Sequence, residues 1–366
     1  MNKLKAFLVA LAGLTLLSVL GCASSTPFIE QPIEGGTKVP GGNLTEKLAW
    51  LETNADSRNL YIVEVNADEN IAPRTLEYSG ATDVTIVIRG VGENRTIRLS
   101  EHGTMFTVKP NVQLILDGNI TLMGHSQNKG SMVNVDGGKF VMRTGSSISG
   151  NDRGSGDGGG VYVGSGEFYI TGGTISGNTA ANGGGVYVGS RRFIMSGGVI
   201  SGNIAENGGG VYVAGSRDTN FCLYAGTISD NTADNGGGVY LRSASSMSYK
   251  NSIAAITGNT ARQRGGGLYV NHGSYEEWES MRFKGRLIIA GVGRWNYASQ
   301  RYIKRGNDPY NGNAIKDEAG NIRGGTTGGH TMFWNTLGLN GGSGAIDQTI
   351  GKWAKSSEQS DAQAEE

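Results

Sequence analysis

The residues equipped for chemistry are few and scattered. Asp152, Asp157, Asp230 and Asp234 are acidic candidates, and the four histidines are His102, His125, His272 and His330. A polysaccharide lyase needs clustered carboxylates around calcium and a basic residue that takes a proton. A glycosidase needs two carboxyl groups facing each other across its substrate. No Asn-Thr-Asp or Asp-Asp pair occurs here, and the histidines fall in unrelated contexts. Asp157 precedes glycines but not in the Gly-Gly-x-Gly-x-Asp order of a calcium-binding repeat. The expectation is therefore no enzyme, no cofactor and no metal; a polysaccharide-active lyase or hydrolase is the alternative.

Two other groups suit binding rather than turnover. The segment "NHGSYEEWESMR" offers Tyr275 and Trp278 beside Glu276 and Glu277. Tyr162, Tyr187, Tyr212, Tyr240 and Tyr269 recur at equivalent places, as an aromatic ladder able to stack on sugars or to shield strand backbone.

The elements that must position these residues come from a repeated sentence. "ISGNTAANGGGVYV" returns as "ISGNIAENGGGVYV" and "ISDNTADNGGGVYL". Val161, Val186, Val211, Val239 and Leu268 align at intervals of 25 to 29 residues. A second word begins at Phe140, Phe168, Phe193, Phe221 and, by spacing, Tyr249. A third begins at Ile148, Ile175, Ile200, Ile228 and Ile256, each followed by Asn151, Asn178, Asn203, Asn231 or Asn259. Each unit thus holds three short strand words, and about seven units are countable. One such unit buries nothing alone, whereas stacked units bury a continuous apolar column. The sequence predicts an all-β fold, a parallel β-helix of about seven coils. Alternate residues such as Val186, Val188, Phe193 and Met195 should point inward, with Asn stacked as a turn ladder. The triple Gly allows positive φ and close coil-to-coil contact. Sixty-two Gly without a collagen-like period fit repeated tight turns.

Flanking segments complete the plan. Residues 1–21 read as a signal peptide: Lys3 and Lys5 precede an apolar run from Ala6 to Leu20. Residues 22–42 read as a flexible tether. Residues 43–104 hold an N-terminal cap and first strands, in which Asn43 and Glu46 form a capping box for a helix to about Asn54. The repeats occupy 105–290, an irregular C-terminal cap 291–353 and a solvated tail 354–366. Without the signal peptide, 30 basic residues face 32 acidic ones, which gives no electrostatic footprint for nucleic acid.

The run "VLGC", Val19 to Cys22, resembles a bacterial lipobox. That resemblance implies cleavage before Cys22 and a membrane attachment through its acylated sulfur and amino group. With Cys22 acylated, Cys222 would stand alone, in an outward column with Tyr169 and Ile194. The paired words resemble the repeats of chlamydial polymorphic membrane proteins, with Gly184-Gly185-Val186 and Ile175 to Asn178 in place of Gly-Gly-Ala-Ile and Phe-x-x-Asn. Together with the lipobox, "LTEKLAWLETNA" and "NGNAIKDEAGNI" are similar to β-helix surface lipoproteins of spirochaetes. The resemblance implies a pectin lyase-like right-handed β-helix, an outer membrane lipoprotein exposed at the cell surface, and adhesion to a host protein or glycan. A structural coat subunit is a further alternative. The connection between first and second words grows from Gly164–Glu167 through Ala214–Asn220 and Arg242–Ser248 to Asn271–Arg282. Variable loops on one edge of a solenoid mark its binding face, so Arg217, Arg242, Tyr275, Glu276, Glu277 and Trp278 are the candidate ligand-binding residues.

Overall fold

The computed structural model describes residues 30–214, 220–242, 246–249 and 254–271, together with strands at 285–293, 315–316, 322–323, 325–327, 330–332 and 349–350. Cys22, Arg217, His272, Tyr275, Glu276, Glu277 and Trp278 lie outside the described residues, as do the signal peptide and most of the C-terminal region.

The chain is a parallel β-solenoid. Eight strands, one per coil, make one sheet, among them Val133–Val135, Val161–Val163, Val186–Val188 and Val211–Val213. Like residues pair directly: Val161 with Val186 and then Val211, and Tyr162 with Tyr187 and then Tyr212. The Phe words do the same, Phe140 to Phe168 to Phe193 to Phe221. Their rings stack 4.8–5.0 Å apart within 10° of parallel, the spacing that parallel strands impose. All four rings are fully buried, as are the Val and Ile columns. The greasy centre is therefore continuous along the rod.

The sheet has one coil more than the seven countable in the sequence. Its first strand, Arg74–Leu76, reads "RTL" and carries no repeat word, yet it pairs with Phe106–Val108. Parallel stacking already runs through Leu60–Val65 and Val84–Gly90, so the strands before residue 105 belong to the same rod.

Two features of the repeat differ from expectation. Each central coil has a fourth strand, as in Thr179–Asn182 and Ile204–Asn207, with Ala180 and Ala205 turned inward. Ala is small and only weakly apolar, so the strand carries no large apolar residue to mark it in the sequence. The Phe place of the seventh coil is taken by Met247, opposite Phe221, with Tyr249 opposite Leu223. The two-residue difference moves from the first connection to the following turn, so that connection is shorter than Arg242–Ser248.

The helix α1, Leu44–Asn54, forms as its cap predicts. Asn43 Oδ1 accepts from the Glu46 amide, and the Glu46 carboxylate accepts from the Gly42 amide and Asn43 Nδ2. Leu44, Leu48 and Leu51 are buried in the main core, so α1 covers the open end of the first coils, where unpaired strand edges would invite association.

Residues 30–42, expected as part of a flexible tether, are docked instead. Thr37–Lys38 pairs in parallel with Tyr61 and Ile62. Farther back, the Gln31 carbonyl accepts from Arg143 Nη2, and the Glu30 carboxylate accepts from the Thr144 amide and the Thr171 hydroxyl. This strap crosses several coils on the outside of the rod.

Candidate functional site

The buried polar centre of the molecule is an amide ladder. Asn203 Oδ1 accepts from both the backbone amide and Nδ2 of Asn178, each at 3.0 Å. Asn231 and Asn259 repeat the arrangement for Asn203 and Asn231. Asn151, Asn178, Asn203, Asn231 and Asn259 are all buried, so the predicted ladder lies inside the coil. Such stacking satisfies groups that would each cost about 1–3 kcal/mol if left unpaired.

His125 holds the equivalent place one coil earlier, but its ring is exposed and lies edge-on to His102, with centroids 4.7 Å apart. Asn128, three residues later, reaches in and donates to Asn151 Oδ1 at 2.9 Å. The sequence signal for Asn128 was an amide offset from the register, which strict alignment passes over.

The acidic candidates hold structural positions. Asp157 accepts from Asn182 Nδ2 at 2.8 Å and heads a second, outer ladder through Asn207 and Asn235. Asp234 pairs with Arg262, Asp152 accepts from the Gly154 amide, and Asp230 sits at a turn with φ 57°. The four acids are thus distributed among turns, a ladder and a surface pair. Among the described residues, no group of three or more His, Cys, Asp or Glu is placed to hold a metal ion.

The tyrosine ladder leaves its strands on the outward side, as expected, but Tyr212, Tyr240 and Tyr269 are buried in a cluster of their own and the ring faces are occupied. Tyr162, Tyr187, Tyr212 and Tyr240 stack at 4.8–5.3 Å. Arg153 lies over the Tyr162 ring, 5.5 Å from its centroid. A sugar stacks on an aromatic face, and here each face meets another ring or a guanidinium, which favours a packing role. The hydroxyls form a polar rim: Asn271 Nδ2 donates to Tyr240 at 2.8 Å, and Arg264 reaches Tyr269. Burial pushes the Tyr187 and Tyr240 phenols up to about 12, so both remain neutral donors at physiological pH. Arg242 is exposed just past the strand Val239–Leu241 that carries Tyr240.

A third column was misjudged by sequence. Val87, Ile115, Val141, Tyr169, Ile194 and Cys222 point outward from the Phe sheet yet are all buried, forming a second apolar cluster with Ile33 of the strap packed on it. Cys222 is fully buried and disulfide-bonded, against the expectation of a lone residue on an open face. The outward direction follows from strand alternation, but alternation cannot say whether another segment lies on top.

No known protein-family model, no curated protein and no solved structure matches this chain.

Proposed function

We propose that the protein is a lipid-anchored, surface-displayed bacterial binding scaffold, an adhesin for a host protein or glycan, of the kind its repeats and lipobox resemble. One observation carries the reading. The repeated residues are consumed by the scaffold: amides in ladders, aromatic faces in stacks and acids in turns. What varies from coil to coil in the sequence is the edge carrying Arg242 and the connections Ala214–Asn220 and Asn271–Arg282. Specificity must reside in what differs between coils, because identical coils present the same groups at every level.

The ligand would be engaged through rim hydroxyls, guanidinium groups and the Tyr275–Trp278 loop rather than by stacking on the ladder. Shortening residues 271–282 to the four of Gly189–Arg192 should lower adhesion to host cells and matrix at least tenfold with the rod intact. Unchanged adhesion removes this reading, and sugar release from pectin, alginate or glycosaminoglycan would replace it with catalysis. Palmitate incorporation that disappears in Cys22→Ala tests the anchor separately. A sulfur in a thioether cannot also form a disulfide, so acylation of Cys22 and a bond from it to Cys222 exclude each other.

A further inference from the structure

The place of the buried ladder amide is held by asparagine in five coils and by His125 in the coil before them. That coil takes its rung from elsewhere. Asn128 reaches in, donates to Asn151 Oδ1 at 2.9 Å and to the Gly103 and Gly130 carbonyls at 2.8 and 3.0 Å, and accepts from the Gly103 amide at 2.7 Å. The ladder is kept, and an imidazole is released to the surface. The same bonds clamp both backbone groups of Gly103, the residue after His102, and so hold that loop against the coil of His125. The strands that precede the two histidines, Arg95–Leu99 and Ile120–Met123, pair in parallel. Both exposed rings therefore leave the rod at one edge of neighbouring coils, with centroids 4.7 Å apart and planes at 72°.

We propose that His102 and His125 form a two-ligand surface site for a divalent ion of the zinc class, with its remaining positions open to water or to donor groups of another molecule. Nδ1 of His125 meets the Ser126 carbonyl oxygen at 2.5 Å. A carbonyl only accepts, so Nδ1 carries a proton and Nε2 of the neutral ring keeps the lone pair that a metal needs. A carbonyl on the other nitrogen is also what orients a ligating imidazole. The His102 ring makes no hydrogen bond among the described residues, so one of its nitrogens is a free donor of electrons in either tautomer. The spacing fits as well. With Zn–N bonds of about 2.0–2.1 Å, two imidazoles on one tetrahedral ion have centres about 5 Å apart. Turning two exposed rings reaches that geometry without moving the clamped backbone.

Two imidazoles are fewer than the three protein ligands of a catalytic zinc or the four of a structural one. That agrees with the described residues, which place no group of three or more His, Cys, Asp or Glu around an ion. Such a site holds its ion weakly and leaves it able to bridge to an imidazole or carboxylate outside the rod. The inference rests on no part of the adhesin reading.

Zinc chloride titrated into the untagged mature chain, followed by calorimetry and by diethylpyrocarbonate footprinting of the histidines, tests the site. Zinc should bind with a micromolar dissociation constant and lower carbethoxylation of both His102 and His125 at least tenfold. Magnesium, which prefers oxygen ligands, should do neither. His102→Gln and His125→Asn should each weaken zinc binding at least tenfold. The second variant puts at 125 the residue that the next five coils carry there, which keeps the coil foldable, and if either variant fails to fold the wild-type footprint decides. No uptake of zinc, affinity unchanged in either variant, or protection confined to the other two histidines would overturn the proposal.

Discussion

Asn178 gives two hydrogen bonds to one atom of Asn203: its backbone amide and its side-chain Nδ2 both meet Oδ1 at 3.0 Å. Asn203 in turn sends Nδ2 to Asn231 Oδ1 and to the Ile175 carbonyl. The amide-to-amide bonds are thus directional, each Oδ1 accepting from the coil before and each Nδ2 donating to the Oδ1 of the coil after. Asn203→Ala should orphan several buried groups and cost about 3–5 kcal/mol, at about 1–3 kcal/mol for each unsatisfied group. Asn203→Asp should be worse at neutral pH, because a carboxylate would face the Asn231 and Ile175 acceptors. A carboxyl whose folded pKa is raised loses stability as pH rises through its unfolded value of about 3.9. The Asp variant should therefore recover part of its loss below pH 4, where the protonated acid can donate. Thermal melts of both variants at pH 7 and pH 3.5 check the sign.

The third glycine of each repeat keeps space for that ladder. A Cβ on Gly185 would lie 2.7 Å from the Gly210 carbonyl oxygen, 2.9 Å from Ile200 Cγ2 and 3.1 Å from Asn203 Nδ2. The backbone of the next coil cannot retreat without breaking the strand ladder. Gly185→Ala should cost about 2–4 kcal/mol, in the upper range for overpacking. Gly202, with φ 64°, would meet nothing within 4 Å, so Gly202→Ala should pay only the left-handed backbone penalty, about 1–2 kcal/mol. Chemical denaturation of the pair separates crowding from conformation.

Ring contact, not the hydroxyl, should dominate at the tyrosine ladder. Tyr187 has ring neighbours on both faces, Tyr162 at 5.0 Å and Tyr212 at 5.3 Å. Tyr187→Phe keeps both stacks and should change stability by less than about 0.5 kcal/mol, whereas Tyr187→Ala should cost about 2–3 kcal/mol from two lost ring pairs and their buried area. Equal losses in the two variants would mean that the hydroxyl rim is what holds the ladder. The near-ultraviolet titration of Tyr187 should remain incomplete until about pH 12, because burial holds its phenol there.

What the sequence made legible was the interior. Val186, Phe193 and Ile200 repeat in kind, and repetition of one residue type at one spacing is the direct signature of a stacked column. The outer column gave no such signal. Val87, Ile115, Tyr169, Ile194 and Cys222 differ in kind, and each sits at an outward place in its own strand. Only their order along the rod makes them a surface, and the strap whose Ile33 packs on them is held through Glu30 at Thr144, more than a hundred residues away in sequence. Asn128 was missed for a related reason: it supplies the right amide from the wrong position. For the candidate binding edge neither register nor, with it, the length of the connection that Arg242 begins was readable, since Met247 replaces Phe.

Acid should loosen the strap from its Lys38 end. The Arg89 guanidinium, at 2.8 Å, holds the Glu64 carboxyl below its ordinary 4.5, and Lys38 at 3.1 Å adds to that against the opposing effect of burial. A carboxyl with a depressed folded pKa contributes stability that is present above its unfolded pKa and is lost as pH falls through the folded one. Stability should accordingly hold above the ordinary carboxylate value of 4.5 and fall as the pH drops below it, where Glu64 takes up its proton and releases Lys38 and Arg89. Asp136, depressed by Lys109, slopes the same way, so the contribution of Glu64 has to be read by difference. In Glu64→Gln the neutral amide has no such transition, and its melting temperature should follow a shallower acid slope than the wild type. If wild type and Glu64→Gln run parallel from pH 5 to pH 3, the carboxylate does not tie the strap, and its attachment rests on Ile33 and the paired backbone of Thr37–Lys38 instead.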